Sequence, residues 1–440
     1  MNCIPGMGEN RTAAASGIRR HLAVVILTAA AVIPSACDAP ASDMAMTTDD
    51  RSRLYQLDYV VTPKPALGGV IVELTLRQPQ RLLRELDMRL AGIDVSSIVA
   101  DGKLSRAGNR LVWHPPTKGG VIRWFASVNH ERSEGAYDAY MSASWALFRN
   151  EDIIPPARTR TLKGARSVTR LKFELPRGWS STTQYFGRNN DYRIKNPARR
   201  FDQPTGWVLL GRLGKRNDDI EGIRVIVAGP VQQSVRRQDM LALLHWTLPE
   251  LRRILPDFPR RLTIISAADP MWHGGLSAPK SLFIHADIPL ISENGTSVLL
   301  HELLHAGLRL RADAGADWII EGLAEYYGLE LLRRSHTISA RRHATAIEGL
   351  RDWGEKVTNL CQKQSTGATT ARATVIFHNL DTELRQYDDG NMNYNLDDLV
   401  ANLRTNNARV TVQSLQDAAV QLIGSLPAAL ETSNLPGCAE

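Results

Sequence analysis

Residues 301–305 read HELLH and residues 321–325 read EGLAE, and these two segments constrain the fold more than any other part of the chain. Both lie in stretches with apolar residues at helical spacing, TSVLLHELLHAGLRL and DWIIEGLAEYYGLELLRR. Because residues four apart share one face of an α-helix, His301 and His305 point the same way, as do the two glutamates. The connection AGLRLRADAGA contains two glycines that ease a turn. The sequence therefore predicts two consecutive helices whose polar side chains converge.

Two imidazoles and a carboxylate in this order are the ligand set of a catalytic zinc site. His301 and His305 supply two ligands and Glu321 the third, which leaves a fourth position open. Glu302 lies beside His301, where it can take a proton from a zinc-activated water. Glu325, one turn after Glu321, is placed to fix the tautomer of a ligand imidazole. We therefore predict one Zn²⁺ per chain with Glu302 as general base.

The alternative is a buried helix with two hydrogen-bonded histidines and no metal. Leu299, Leu300, Leu303 and Leu304 already supply an apolar face, so the histidines are not needed for packing. Burial of the polar groups without a partner would also be unfavourable. A structural zinc would more often be closed by a fourth side chain, usually cysteine, and the sequence has none nearby. These points favour a catalytic metal site.

The chain has 440 residues and a formal charge of +7. No dense block of lysine and arginine stands out, so we expect no nucleic-acid partner. Its length is enough for about two or three domains. The sequence does not indicate an oligomeric state.

The amino-terminal 37 residues have the pattern of a signal peptide. Arg19 and Arg20 precede the apolar run LAVVILTAAAVI, which is short for a membrane span. The following PSACDAP resembles the lipobox of bacterial lipoproteins, in which Cys37 would be lipidated, although Pro34 stands where leucine is usual. The alternative is that the signal peptide is cleaved near Cys37 without lipidation, which would give a soluble periplasmic protein. We predict export to the periplasm or cell envelope, with membrane contact only through a lipid on Cys37.

The rest of the chain predicts a multidomain α+β protein. Residues 38–52 are small and polar and predict a linker. Residues 53–205 contain short β-branched and aromatic runs, such as VIVELTL and VIRWFASV, which predict an antiparallel β-domain. Residues 206–345 mix strand and helix patterns and carry the histidine motif, and residues 346–440 are mostly helical. In an oxidising compartment Cys361 and Cys438 are expected to form a disulfide.

HELLH followed by WIIEGLAEYY resembles the zinc signature of gluzincin metallopeptidases. The segment is similar to that of aminopeptidase-N-like enzymes and closer to that of the glycyl aminopeptidase family. The later segment LDTELRQYDDGNMNYNLDDLVANL also resembles the tail motif of the glycyl aminopeptidase family. The resemblance implies a thermolysin-like catalytic domain in residues 206–345. It also implies the zinc ligands, base and supporting glutamate already named. Substrate-binding residues carried over from it are Gly274, Gly275, Leu276 and Ser277.

Two departures from the family bear on activity. Ser277 stands where the family has a glutamate that holds the substrate's amino terminus, and a neutral hydroxyl cannot offset an ammonium charge. The family's tyrosine that donates to the oxyanion has no match at the corresponding place, so Tyr387, three residues before Gly390, is the candidate. We expect a zinc metallopeptidase of peptide or protein substrates that is not a classical aminopeptidase. The alternatives are a catalytically degenerate zinc-binding envelope scaffold and a lipoprotein without metal.

Overall fold

Alternation of apolar and polar residues determines the first half of the structure. The computed structural model describes residues 53–195, 201–387, 393–406 and 409–438. In the first strand, Leu54–Lys64, every second side chain is buried, so one face of the strand packs on the core. The strands of this half are β1 (Leu54–Lys64), β2 (Gly69–Arg77), β3 (Leu83–Arg89), β4 (Val95–Ala100), β5 (Lys103–Ala107), β6 (Arg110–His114), β7 (Gly119–Ser127), β8 (His130–Ser133), β9 (Ala136–Met141), β10 (Trp145–Arg149), β11 (Ala157–Thr161), β12 (Arg166–Phe173), β13 (Ser180–Thr183), β14 (Phe186–Arg188), β15 (Asp191–Ile194) and β16 (Trp207–Gly211).

These strands form three sheets in the described part of the chain. Their strand orders are β14-β15-β12-β1-β2-β7-β4, β13-β16-β10-β9-β8 and β11-β3-β6-β5. Most neighbours are antiparallel, as predicted, but β1 pairs with β12 in parallel, which the local sequence pattern does not indicate. The two strands are separated by ten others, so the chain has room for the long crossover that a parallel pair requires.

A fourth sheet underlies the histidine motif. Its strands are β17 (Leu213–Ile220), β18 (Ile223–Pro230), β19 (Arg261–Ala267), β20 (Gly275–Ala278) and β21 (Ser281–His285), in the order β17-β18-β19-β21-β20. The central strands β18, β19 and β21 are parallel, whereas β20 is antiparallel to β21 and lies at the edge. Such an edge has backbone groups available for a further strand.

The described parts of residues 346–440 are mostly helical, as predicted. The described helices are α1 (Asn150–Ile153), α2 (Arg237–Ile254), α3 (Val298–Leu308), α4 (Asp317–Arg334), α5 (Ala340–Gly354), α6 (Ala368–Gln386), α7 (Leu396–Asn406) and α8 (Val412–Ile423). One hydrophobic core joins the apolar faces of α2, α3, α4, α6, α7 and α8 to the fourth sheet. The buried residues of α5 form a smaller cluster with residues of α4 and α6. The predicted domain boundaries at residues 205 and 345 stay predictions. No described helix is both long and apolar enough to cross a membrane.

Helices α4 and α6 approach each other closely at a glycine. A methyl group added at Gly322 would lie 2.6 Å from the Cβ of Ala373 and 3.0 Å from its carbonyl carbon. Only glycine therefore allows this separation, which brings the helix that carries Glu321 against the carboxyl-terminal helices.

A buried carboxylate at the end of α4 is held by two arginines. Glu330 accepts hydrogen bonds from Arg333 at 2.6 and 2.7 Å and from Arg334 at 2.8 Å. Burial alone would raise the pKa of Glu330, but these hydrogen bonds outweigh it and lower the pKa to about 2. Arg334 also contacts Asp397 at 2.6 Å, so the network ties α4 to α7.

Candidate metal centre and cleft

Helix α3 presents its two histidines on the face opposite its leucines. Ser297 begins the helix, and its side chain accepts the backbone N–H of Leu300 at 3.4 Å, which satisfies one free donor of the first turn. The leucines of the helix are buried in the core. With that face fixed by packing, His301 and His305 must point toward α4.

The side chains of His301, His305 and Glu321 converge on one point. The two Nε2 atoms lie 3.0 Å apart. The Glu321 oxygens lie 3.2 Å from His301 Nε2 and 3.3 Å from His305 Nε2. Ligands of a tetrahedral zinc ion, with bonds of about 2.0–2.1 Å, are separated by about 3.3 Å. The three side chains therefore already have the spacing of a zinc ligand set.

Glu325 completes this arrangement from the next turn of α4. Its Oε2 lies 2.8 Å from His301 Nδ1. An ionised carboxylate can only accept a hydrogen bond, so Nδ1 carries the proton. The lone pair of Nε2 is thereby directed to the metal position, which is the supporting role predicted for Glu325.

The charges of the cluster favour a cation at this point. Burial alone would lower the pKa of His301, but hydrogen bonds with Glu321 and Glu325 outweigh it and raise the pKa to about 10. Burial would raise the pKa of Glu321, but hydrogen bonds with His301 and His305 outweigh it and lower the pKa to about 2. The carboxylates thus stabilise positive charge between the imidazoles. A divalent metal can supply that charge in place of a proton.

Glu302 is buried beside the ligand cluster and in contact with the edge strand β20. A Cβ built on Gly275 would lie 2.6 Å from Glu302 Cγ and 3.2 Å from its Oε1. The absence of a side chain at Gly275 therefore leaves room for Glu302. This contact places the predicted base between the metal position and the strand edge.

These residues line a cleft of about 750 Å³. Residues 272–277, which include the predicted substrate-binding residues Gly274, Gly275, Leu276 and Ser277, form one wall. The opposite wall contains Trp353 and residues 364–367. Trp353 is 58% exposed, so its ring offers an apolar surface on which a side chain of a ligand can pack. The structure thus brings the predicted substrate-binding residues and the predicted metal ligands into one cavity.

Tyr387 does not reach this cleft, and its prediction as oxyanion donor is not supported. Thr370 and Ala371 of the first turn of α6 line the cleft, whereas Tyr387 follows the last turn of the same helix. A helix of 19 residues is about 28 Å long. Tyr387 packs against Tyr394, with ring centroids 6.4 Å apart. The spacing from Gly390 imitated a family motif, but the helix places the side chain far from the metal position.

The tyrosines after Glu325 serve the core. Tyr326 and Tyr327 are buried, and their hydroxyls donate to Asp381 at 2.7 Å and Asp397 at 3.0 Å. Within the parts of the chain that the structure describes, no tyrosine lines the cleft.

The two distant cysteines meet in the structure, whereas Cys37 lies outside the described residues. Cys361 and Cys438 form a disulfide across a sequence separation of 77 residues. A Cβ on Gly315 would lie 3.5 Å from the carbonyl oxygen of Cys361. The disulfide therefore fixes the carboxyl-terminal segment to the connection between α5 and α6, which passes close to the α3–α4 connection at Gly315.

Sequence reasoning missed two contributors to the cleft. Asp317, at the start of α4, accepts the backbone N–H of Ser365 at 2.7 Å and so fixes the opposite wall. Arg132, from the β8–β9 hairpin, lines the cleft from the first half of the chain. Neither residue lies in a motif. Their positions follow from the packing of segments that are far apart in sequence.

A second group of histidines lies beside the first wall of the cleft. His273 Nε2 lies 2.8 Å from Asp269 Oδ1, and the His273 and His285 rings stack with centroids 3.8 Å apart. The backbone N–H of Asp287 donates to His285 Nδ1 at 3.3 Å, whereas His285 Nε2 lies 3.6 Å from Asp269 Oδ1 and is buried without a hydrogen-bond partner. The contact with Asp269 orients His273 beside the cleft.

Comparison with solved structures shows where this architecture occurs. An aminopeptidase N family protein from Idiomarina loihiensis has a TM-score of 0.61 at 15% identity, over 87% of this chain and 74% of that one. An M1 zinc metallopeptidase from Deinococcus radiodurans has a TM-score of 0.55 at 16% identity, over 88% and 94%. The fold is that of the M1 zinc metallopeptidases.

The likeness is one of fold. Yeast LTA4 hydrolase gives a TM-score of 0.53 at 14% identity, over 86% of this chain and 66% of that one. No family model matches the sequence, and no curated protein matches it. The fold expected from the zinc signature agrees with the fold of these neighbours.

Proposed function

We propose that this protein is a zinc-dependent peptidase that hydrolyses peptide bonds. The observation that supports this most directly is the convergence of His301, His305 and Glu321 within 4.8 Å of one another, with buried Glu302 beside them. A binding site for metal alone does not need an additional carboxylate at that position. The M1-like fold supports the same proposal.

In this proposal each residue has a separate task. His301, His305 and Glu321 hold zinc, which when bound acts as a Lewis acid toward the scissile carbonyl and increases the acidity of water. Glu302 accepts a proton from the attacking water and donates it to the leaving amine. Glu325 keeps the His301 ring in the orientation and tautomer needed for ligation.

The edge strand β20 supplies a binding surface for an extended peptide. It pairs with β21 on one side and ends the order of its sheet, so a substrate can add as a further strand. Gly275 brings that strand next to Glu302. Ser277, farther along β20, is neutral and cannot balance a substrate ammonium. We therefore propose an endopeptidase, or an exopeptidase of altered specificity, rather than a classical aminopeptidase.

Residues 1–52 lie outside the described residues, and their function rests on sequence. We propose that residues 1–37 direct export and that Cys37 carries a lipid in the periplasm or cell envelope. This would place the cleft near exported peptides or proteins, with no nucleic-acid partner. Formation of the Cys361–Cys438 disulfide is compatible with an oxidising compartment.

The proposal can be tested by zinc analysis and peptide cleavage. Purified residues 38–440 are expected to contain one zinc per chain and to cleave members of a mixed peptide library. Glu302→Gln is expected to retain zinc and lose about 100-fold or more in rate, because general bases contribute about 10²–10⁴-fold. Glu348→Gln, on an exposed position of α5, is the matched control. Equal cleavage by wild type and Glu302→Gln would contradict the proposal.

A zinc-binding envelope protein without catalysis is the second candidate. One observation favours it: the described residues that line the cleft include no tyrosine that could donate a hydrogen bond to an oxyanion. Loss of one such donor lowers the rate by about 10²–10³-fold. The buried Glu302 argues against it. One zinc per chain without cleavage by wild type would favour this candidate, and absence of zinc would reject both.

A further inference from the structure

The β8–β9 hairpin is fixed to the wall of the cleft by backbone hydrogen bonds. The N–H of Tyr137 donates to the carbonyl of Pro270 at 2.9 Å, and the N–H of Trp272 donates to the carbonyl of Tyr137 at 2.7 Å. These two bonds join the hairpin to the segment that leads into β20. The hairpin therefore has a defined position relative to the metal ligands.

Arg132 extends from this hairpin over the wall. Its guanidinium lies 4.2 Å from the ring centroid of Trp272, a cation–π contact that orients the group. The nearest carboxylate oxygen, of Asp138, is 3.9 Å away, beyond hydrogen-bonding distance. Asp138 is itself engaged by His130 at 2.6 Å. The Arg132 side chain is 42% exposed, and its guanidinium therefore has donors available for a ligand.

The other charged groups of the cleft are already engaged or needed for catalysis. Glu321 and Glu325 contact the histidines, and Asp317 accepts the N–H of Ser365. Arg132 is the one lysine or arginine among the described residues that line the cleft. Away from the metal position, a ligand must therefore carry a charge complementary to that of Arg132.

We propose that Arg132, held over Trp272, binds a carboxylate of the substrate, so that the enzyme selects peptides with an acidic group close to the scissile bond. This inference rests on the proposed peptidase function. Trp272 is three residues from Gly275, which contacts Glu302, and three residues span at most about 10 Å. Arg132 and Gly275 line the same cleft, so the carboxylate is an acidic side chain, or a free carboxyl terminus, close to the cut.

The test uses matched peptides and two readouts. Internally quenched peptides carry Glu, Gln or Lys at each of three positions on either side of one cleavable bond, with a free or amidated carboxyl terminus. Cleavage is measured for zinc-loaded wild type, Arg132→Glu and Arg106→Glu. Arg106, exposed on β5 and absent from the cleft, is the matched control. Binding of the same peptides is measured with Glu302→Gln alone and combined with Arg132→Glu.

We expect wild type to prefer Glu over Gln by about tenfold in kcat/KM at one position or more, or a free over an amidated terminus. Arg132→Glu should reverse the preference toward Lys, and Arg106→Glu should keep it. Cleavage with no charge preference, or a preference unchanged in Arg132→Glu, would overturn the inference while leaving the peptidase proposal intact. Binding that depends on Arg132 without any cleavage would reject the peptidase and retain the carboxylate subsite. Neither cleavage nor charge-dependent binding would reject both.

Discussion

Substitution of Gly275 by alanine should displace the catalytic base without removing the metal. The added methyl group would lie 2.6 Å from both Glu302 Cγ and Val298 Cγ1, whereas carbon atoms in normal contact are about 3.5–4.0 Å apart. Glu302 must therefore move by about 1 Å. The backbone at Gly275 does not have a positive φ, so the effect comes from this contact and not from backbone strain.

Displacement of a catalytic group by about 1 Å costs on the order of 100-fold in rate. We expect Gly275→Ala to lose about that factor in kcat and to retain one zinc, because the contact is with Glu302 and not with a ligand. The assay is kcat on the best library peptide, with zinc content and thermal unfolding measured on the same preparation. Gly349→Ala is the control, since its methyl group would meet no atom within 4 Å.

The result that would refute this reasoning is a zinc-loaded Gly275→Ala protein with kcat within about threefold of wild type, a difference of less than about 1 kcal/mol. Loss of zinc would also contradict it. In that case the substitution would have disturbed α3 as a whole, and the tight contact at Gly275 would not be specific to the base.

Three further predictions concern metal affinity and stability. Glu325→Gln should weaken zinc binding by about 10–100-fold, measured by chelator competition, because the charged partner of His301 is lost; unchanged affinity would contradict this role. Glu330 has its pKa lowered by folding, from 4.5 to about 2, so its contribution of about 3 kcal/mol is present above pH 4.5 and is lost as the pH falls toward 2. The unfolding free energies of wild type and Glu330→Gln should therefore approach each other progressively as the pH falls from about 4.5 toward 2, and a constant difference would refute the linkage. Gly322→Ala should destabilise by about 1–3 kcal/mol through its contact with α6, whereas Gly349→Ala should be neutral or stabilising by up to about 1 kcal/mol in thermal unfolding.

The parts of the fold that were predictable from sequence are those with a local period. The β2 and β7 runs alternate, and α3 and α4 have the helical spacing of apolar residues, so their types and approximate bounds follow from the pattern. Within α3 and α4, side chains four residues apart share a face. The convergence of His301, His305 and Glu321 was predictable for this reason.

Features that depend on long-range packing were not predictable in the same way. The parallel pairing of β1 with β12 requires knowledge of a crossover about 100 residues long, which no local period encodes. Tyr387 had the spacing of a motif but follows the far end of α6. Arg132 is one arginine among many in the sequence, and only the attachment of its hairpin to residues 270–272 brings it to the cleft. In each case the residue type is visible in the sequence, but the position of the helix or hairpin that carries it is not.

The substrates that the cleft can favour depend on which of its carboxylates are already hydrogen-bonded to other side chains. An aminopeptidase needs an anionic group that is free to hold the substrate ammonium. Here the ammonium would meet the neutral Ser277, while the carboxylates of Glu321 and Glu325 are directed at histidines. Arg132 is the one arginine or lysine among the described residues that line the cleft. A zinc ion would add further positive charge to the cleft. At its own position Arg132 therefore favours a substrate carboxylate over a substrate amine, and hydrolysis by Glu302 is compatible with that change because the base does not contact the anchoring group.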